Sequence, residues 1–311
     1  MTKNIVMLCG GVGGARAALA LYENYPQENL SFLVNTGDDF QHLGLEIWPD
    51  WDTVVYHLAG LQEPTRGWGR RDEGTRVMEE LKVLEGPTWF HLGDRDLALH
   101  LYRTWAHKEG ETRAELAEHI TSNWQIPATV LPLTEGSAQT QLRLESGEVM
   151  DFQEWFVKAQ CQPRVRAVEN VGLESLCLTQ GVVEAFENSD LIIMAPSNPY
   201  LSLGPMLKHP ELQQCLRQTT TKKIAISPLI DGKALKGPLD RLISDLSSEK
   251  GQNAIASFWE GQVDALLLPD GELENISIQN MKILPCPTLL KTMEDRAIFA
   301  RALLSIWENH L

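Results

Sequence analysis

The stretch Asn4–Leu21 reads NIVMLCGGVGGARAALAL. Five mostly apolar residues, Ile5 to Cys9, run straight into four glycines within five positions, Gly10, Gly11, Gly13 and Gly14, and an alanine-rich segment follows. A short apolar run ending in glycines reads as a buried strand and a tight turn, and the segment after it as a helix. Backbone amides at the N-terminus of such a helix face an anion, and glycines let it approach. The pattern G-G-x-G-G is neither the dinucleotide fingerprint G-x-G-x-x-G nor a P-loop ending in G-K-[ST]. Phosphate binding and close helix–sheet packing both account for it.

The same strand-then-helix grammar recurs along the chain. Strand-like runs are expected at Ile5–Cys9, Leu30–Thr36, Thr88–Gly93, Ala128–Leu133, Asp190–Pro196, Lys222–Ile230 and Val263–Asp270. Most are continuously apolar, as strands buried on both faces of a parallel sheet are. Helical periodicity lies between them at Ala15–Asn24, Thr53–Gly60, Gly74–Leu84, Leu97–His107, Thr112–Asn123, Gly181–Asn188, Pro238–Ser247 and Met293–Asn309. Alternation of this kind predicts an α/β fold. Within residues 106–166 the segment TQLRLESGEVMDFQEWFV alternates like an antiparallel hairpin turning at Ser146-Gly147. That region is expected to be an inserted cap on a core formed by residues 1–105 and 167–311.

The chain of 311 residues carries a net charge of −15, which disfavours a nucleic-acid or anionic-membrane surface. Its five cysteines are scattered, with no C-x-x-C pair, so neither a disulfide framework nor a zinc site is expected and a reducing cytoplasm is the natural setting. No run of about 18 apolar residues suggests a membrane span.

Chemistry-bearing residues gather at the ends of the expected strands. VNTGDD (Val34–Asp39) offers Asn35, Thr36, Asp38 and Asp39 to a ribose, a base or a hydrated metal, or uses them as turn and cap residues. WPDWDT (Trp48–Thr53) places Asp50 and Asp52 around a tryptophan ahead of a helix, as a cap or as ligands of a divalent metal. GWGRRD (Gly67–Asp72) adds Trp68 and two arginines. HLGDRDLALH (His91–His100) holds Arg95, whose planar fork suits a phosphate or phenolate, and His91, which by itself reads as a core histidine. APSNPYLSLGP (Ala195–Pro205) and SPLIDGKALKGP (Ser227–Pro238) supply hydroxyls, backbone amides and the lysines Lys233 and Lys236. No Ser/His/Asp or Cys/His arrangement, H-E-x-x-H or G-x-S-x-G is present. The pattern points to phosphate groups and acidic metal ligands without a covalent nucleophile.

These segments, in this order, resemble the 2-phospho-L-lactate transferase (CofD-like) family of coenzyme F-420 biosynthesis, from about Asn4 to Arg296. The resemblance implies a Rossmann-like, mostly parallel sheet with helices on both faces, a smaller inserted α+β region, and usually a homodimer. It implies transfer of a phospho-three-carbon-acid group from its guanosine diphosphate ester to the ribityl hydroxyl of the deazaflavin Fo, with release of GMP and use of Mg2+. Gly10, Gly11, Gly13, Gly14 and Arg16 match the first donor loop. Ser197, Asn198, Ser202 and Gly204 match the second, and Ser227, Lys236 and Gly237 the third. Asp50 and Asp52 match the acidic pair near metal and deazaflavin, as catalytic residues and metal ligands. Asn35, Asp39, Trp68, His91 and Arg95 complete the expected ligand-binding set, with Trp48, Trp51 and Trp68 as the wall for the deazaflavin ring. One departure concerns Leu131–Ser137, LPLTEGS, where many members carry L-P-M-S-D-D; Glu135 stands in place of the paired acids, which puts the choice of three-carbon unit in question.

Two rival readings remain at this level. One is a non-catalytic, nucleotide-sugar-binding regulatory protein of related fold, which has no evident need for the P-D-x-D-T and L-G-D-R-D-L-A segments. The other is a nicotinamide-dependent oxidoreductase, which wants a cleaner G-x-G-x-x-G.

Overall fold

The computed structural model describes residues 2–273, 276 and 278–311. The chain opens with β1 (Ile5–Cys9), α1 (Gly11–Asn24) and β2 (Leu30–Val34), followed by the short pair β3 (Phe40–His42) and β4 (Leu45–Ile47). Four helices come next, α2 (Pro49–Leu58), α3 (Arg76–Val83), α4 (Asp94–Lys108) and α5 (Arg113–Asn123), and lead into β5 (Thr129–Pro132). The middle of the chain forms β6 (Gln139–Leu144), β7 (Val149–Asp151) and β8 (Val165–Val171). Then come α6 (Val182–Glu187), β9 (Leu191–Met194), α7 (Gly204–Lys208), α8 (Pro210–Gln218) and β10 (Lys222–Ile226). A two-residue pair, β11 (Leu229–Ile230) and β12 (Lys233–Ala234), precedes α9 (Leu239–Leu246) and α10 (Gly251–Trp259), and β13 (Ala265–Leu268), β14 (Lys282–Pro285) and α11 (Met293–His310) close the fold.

Seven strands form one sheet in the order β14-β13-β10-β9-β1-β2-β5, every neighbouring pair parallel. The strands are apolar on both faces because both faces are covered. On β1, Ile5, Met7 and Cys9 join the core beneath α1, α2 and α11, while Val6 and Leu8 join the core shared with α6, α8 and α10. This is the doubly wound, Rossmann-like arrangement expected, with the order reversing between β1 and β9, where such sheets open a crevice at their strand ends.

A separate antiparallel sheet, β7-β6-β8, closes over a small core of Leu142, Leu144, Phe152, Trp155, Leu201 and Leu242. Its hairpin turns at Ser146-Gly147 as expected, but its limits are not those expected for the insertion. β5 is the edge strand of the main sheet, α5 packs against it, and the antiparallel sheet runs on to Val171. The run Thr88–Gly93 is not a strand. Trp89 and Phe90 pack instead against Phe40 and His42 of the β3–β4 hairpin, since the place beside β2 is taken by β5. Of Lys222–Ile230, only Lys222–Ile226 pairs in the main sheet; the chain turns at Ser227-Pro228 into β11. Among the described residues no helix is long and apolar enough to cross a membrane.

Candidate active site

The carboxyl ends of β1 and β9 meet at the reversal of strand order. There the Gly10 N–H donates to Ser197 Oγ at 3.1 Å, and the Ser197 hydroxyl donates back to the Gly10 carbonyl at 2.8 Å. The glycines allow this contact. A Cβ on Gly13 would stand 2.2 Å from the Pro196 carbonyl oxygen, and one on Gly14 would stand 2.5 Å from Ser197 Oγ. A Cβ on Gly10 would stand 2.3 Å from Asp50 Oδ2. Gly11 alone has a left-handed backbone, with φ at +62°, and a Cβ there would meet only ordinary contacts, with Ser202 Oγ at 3.8 Å and Asp50 Oδ1 at 4.0 Å. The loop's thinness therefore serves loop-on-loop packing at Gly10, Gly13 and Gly14, while the N-terminus of α1 remains at the mouth of the crevice.

Asp50 lies in the first turn of α2. Its Oδ1 accepts the Gly11 N–H at 2.7 Å and its Oδ2 accepts Asn35 Nδ2 at 3.0 Å, with the Ser202 hydroxyl adjoining. Asn35 in turn accepts the Gly37 N–H at 2.9 Å, fixing the turn after β2. Asp38 shares this corner. It is buried, and its Oδ1 has no hydrogen-bond partner. Burial raises the pKa of both acids; Asp50 and Asp39 raise Asp38 further, while Asn35 and the Gly11 amide hold Asp50 down. No cationic side chain among the described residues is among the groups acting on either.

Asp52 belongs elsewhere. Helix α2 starts at Pro49, not Thr53, so Asp50 and Asp52 are i and i+2 on one helix and point about 200° apart. Asp52 is gripped by the Arg103 guanidinium, with Nη1 3.2 Å from Oδ2 and Nη2 on Oδ1. Arg103 is fully buried and its guanidinium lies 4.1 Å over the Trp48 ring. Arg113 repeats the design, donating to Asp39 Oδ2 at 2.6 Å and to Ser137 Oγ at 2.6 Å, and lying 4.4 Å from the centre of the same indole. Burial pushes Asp39 up to about 7 against the pull of Arg113, and raises Asp52 against the pull of Arg103. The expectation of Asp50 and Asp52 as one ligand pair does not match this geometry. Asp52, Asp96 and His100 do place ligand atoms within 4.8 Å of one another. His100 stands between the two carboxylates at 3.7 and 3.5 Å, Tyr56 donates to Asp96, and the bidentate Arg103 takes Asp52 from any cation.

The remaining expected residues fall into three places. Trp48 and Trp51 are buried and meet edge to face at 5.8 Å, so they are core and not a ligand wall. Trp68 is exposed, with Arg66 stacked over its ring at 4.7 Å, and with His91 and Asp96 it lines a small cleft that Arg70 borders. Arg95 is exposed at the start of α4, its backbone N–H donating to Glu73 at 2.7 Å. Arg16 and Lys236 converge on Gly67, and Lys236 Nζ donates to the carbonyls of Thr65 and Arg66. Asn198 caps the wide helical turn Pro199–Leu203 by accepting the N–H groups of Tyr200 and Leu201 at 2.9 and 3.2 Å. Gly204 lies where a Cβ would meet the Pro199 carbonyl at 2.8 Å. Ser227 donates to Gln252 at 2.6 Å and accepts the Leu229 N–H, and Gly237 forms a turn with φ at +78°. Glu135 accepts the Arg113 N–H at 2.8 Å and so caps α5. The crevice thus brings together Gly10, Gly11, Asn35, Asp50, Ser197 and Ser202, and adds Asp38, which no sequence signal separates from Asp39.

The sequence profile of the family described as 2-phospho-L-lactate transferase CofD matches residues 5–285. A phosphoenolpyruvate transferase of Mycolicibacterium smegmatis is 34% identical over 318 residues, covering 96% of this chain and 97% of its own. One of Streptomyces griseus is 31% identical over 313 residues, covering 98% of each. One of Mycobacterium tuberculosis is 33% identical over 308 residues, covering 90% and 93%. Two crystal structures of a Bacillus halodurans protein, one titled as a member of the UPF0052 family, share the fold. They superpose with TM-scores of 0.55 and 0.58 at 18% and 16% identity, covering 86% and 92% of this chain and 81% and 92% of theirs. The chain belongs to the 2-phospho-L-lactate transferase family and is a transferase.

Proposed function

We propose that this member of the family transfers a phosphoenolpyruvyl group from its guanosine diphosphate ester to the ribityl hydroxyl of the deazaflavin Fo, releasing GMP, in coenzyme F-420 biosynthesis. The names of the relatives favour enolpyruvate over lactate or glycerate as the three-carbon unit. The observation that carries the reading is the crevice at the β1–β9 reversal. A helix N-terminus, two serine hydroxyls and two buried carboxylates without a cationic partner meet there.

The parts fit transfer without a covalent intermediate. The first amides of α1 have no intrahelical partners and face the donor phosphates, that of Gly11 being held by Asp50. Arg16 and Lys236 add positive charge near Gly67. The acceptor hydroxyl attacks the phosphorus bearing the three-carbon acid, the bond to the GMP oxygen breaks, and GMP leaves with that electron pair. The hydroxyl proton goes to a carboxylate of the crevice within hydrogen-bond reach. Positioning and charge neutralisation do the rest.

A divalent cation such as Mg2+ suits Asp38 and Asp50. Their oxygens are hard donors, Asp38 Oδ1 is buried without a partner, and the two acids repel each other. Bound there, it would neutralise charge on the transferred phosphoryl group. Asp52, held by Arg103, suits it less.

Purified protein incubated with Mg2+, Fo and each of the enolpyruvyl, lactyl and glyceryl donors tests the reading by mass spectrometry. The phosphoenolpyruvyl diester of Fo should form fastest, together with GMP. Absence of any Fo diester with all three donors refutes the transfer; faster turnover of another donor refutes only the choice of acid.

A further inference from the structure

Helices α4 and α5 and the loop at Arg70 border an open surface hollow of about 290 Å3, at the lower edge of the size range of a small-ligand pocket. Leu99 and Ile120 form its apolar wall and Tyr102 and Trp124 its aromatic one. The Trp124 ring is braced against Tyr56 at 5.8 Å between centroids, and the Tyr102 hydroxyl is held to His119 Nδ1 at 2.8 Å.

The charge of this hollow runs against that of the chain. Asp and Glu outnumber Lys and Arg by 42 to 27 overall, yet no acidic residue lines it, and two arginines do. Among the described residues neither Arg70 nor Arg95 forms an ion pair. Arg70 makes only a long contact to the Arg95 carbonyl, at 3.5 Å, and its Nε is buried without a partner. Its guanidinium lies 5.7 and 5.6 Å from the centres of the Tyr56 and Trp124 rings, which fixes it at the edge of the hollow. Two guanidinium groups without carboxylates, set above an aromatic and aliphatic floor, match one class of molecule. The floor takes a flat ring, and the forks take a carboxylate, sulfonate or phenolate on its rim.

We infer that this hollow binds a planar aromatic anion. The inference is independent of the proposed transfer, because it uses none of the residues of the β1–β9 crevice. The same chemistry has two sources: the ring of the Fo acceptor, or a separate aromatic acid.

The test uses 8-anilinonaphthalene-1-sulfonate as probe and N-phenyl-1-naphthylamine, the same rings without the sulfonate, as control. The sulfonate should bind saturably, with fluorescence transfer from tryptophan, and at least about tenfold more tightly than the neutral control. Arg70→Gln and Arg95→Gln should each weaken the sulfonate by about tenfold or more without weakening the control. Trp124→Ala should weaken both probes. Far-UV circular dichroism and melting of each variant establish that it is folded. Equal affinity for the two probes, or sulfonate binding unchanged in both arginine variants, overturns the inference. Competition then separates the sources. Displacement of the bound sulfonate by Fo identifies the acceptor ring as occupant, and its retention at saturating Fo assigns the site to another aromatic acid.

Discussion

Two pairs of acids, Asp38 with Asp39 and Asp50 with Asp52, lie close together in sequence and are all buried, yet each pair is divided between two regions of opposite character. Asp38 and Asp50 face the crevice beside the glycine loop, held by amides and hydroxyls alone. Asp39 and Asp52 face inward, each on an arginine that also packs against Trp48. Burial works on all four in the same direction, and only the partner differs. Acids without a cationic partner are costly in an empty fold and favour a bound cation or a proton. Acids on arginines brace α4 and α5 against the strand-end loops. Sequence proximity therefore says little about shared duty.

The largest effect should follow from breaking the brace. Arg103→Met leaves Asp52 buried without its partner and should cost about 3–5 kcal/mol of unfolding free energy in urea titrations. The double variant Arg103→Met with Asp52→Leu should recover most of it. A loss below about 1 kcal/mol in the single variant would erase the distinction between the two kinds of acid.

The crevice should behave the other way round. Asp50→Asn and Asp38→Asn should each lower turnover of Fo by a few hundredfold, about 3–4 kcal/mol of transition-state stabilisation. Asp38→Asn should not lower the melting temperature, because a neutral amide relieves the repulsion between the two acids; Asp50→Asn gains the same relief but sets an NH2 group against the Gly11 or Asn35 donor, so its melting temperature should fall only slightly. Near-normal turnover, or marked destabilisation with it, would place these acids with the brace.

Titration sharpens the contrast through His57, buried on the same helix as Asp50 and Asp52 but facing a backbone carbonyl, Thr53 O at 2.8 Å from Nδ1. Burial lowers its pKa from 6.5 to about 4. Between those values the unfolded chain binds a proton that the folded chain does not, so the stability it contributes is present above pH 6.5 and lost as pH falls towards 4. Asp39, raised to about 7, acts with the opposite sign: the folded chain holds the extra proton, and stability falls as pH rises towards 7. Relative to wild type, His57→Gln should gain about 3 kcal/mol on going from pH 7 to pH 4, measured by urea unfolding at each pH. A pH-independent difference between the two proteins would show that His57 titrates alike in both states.

Gly13→Ala should have the smallest effect, about 1–3 kcal/mol of stability, because the new methyl meets the Pro196 carbonyl at 2.2 Å. Its melting temperature should fall along with its affinity for GDP. Loss of GDP affinity with unchanged melting would return the residue to the phosphate side of the comparison.

The order of strands and helices was legible because continuous apolar runs and 3.6-residue periodicity are local properties of the chain. The first strand–glycine–helix unit, the Ser146-Gly147 hairpin and the family motifs all reside in contiguous residues. Thr88–Gly93 was misleading because an apolar aromatic run satisfies a sheet and an aromatic cluster equally well, and only the occupied edge beside β2 selects the cluster. β14, α8 and α10 carried too little local pattern to be expected.

The division of labour among the acids depended on tertiary structure. A two-residue offset on α2 turns Asp50 and Asp52 to opposite sides, and that follows once the helix is known to begin at Pro49. That Arg103 and Arg113, more than 50 residues beyond Asp52 and Asp39, arrive at their carboxylates across one indole follows from how α4 and α5 pack, which no short stretch of sequence contains. The sequence determined which chemical groups stand at the strand ends, since residue type and local periodicity are written in it. The tertiary structure decided which of those groups are neutralised by distant partners and which remain open to a ligand, because electrostatic partnership depends on distance in space.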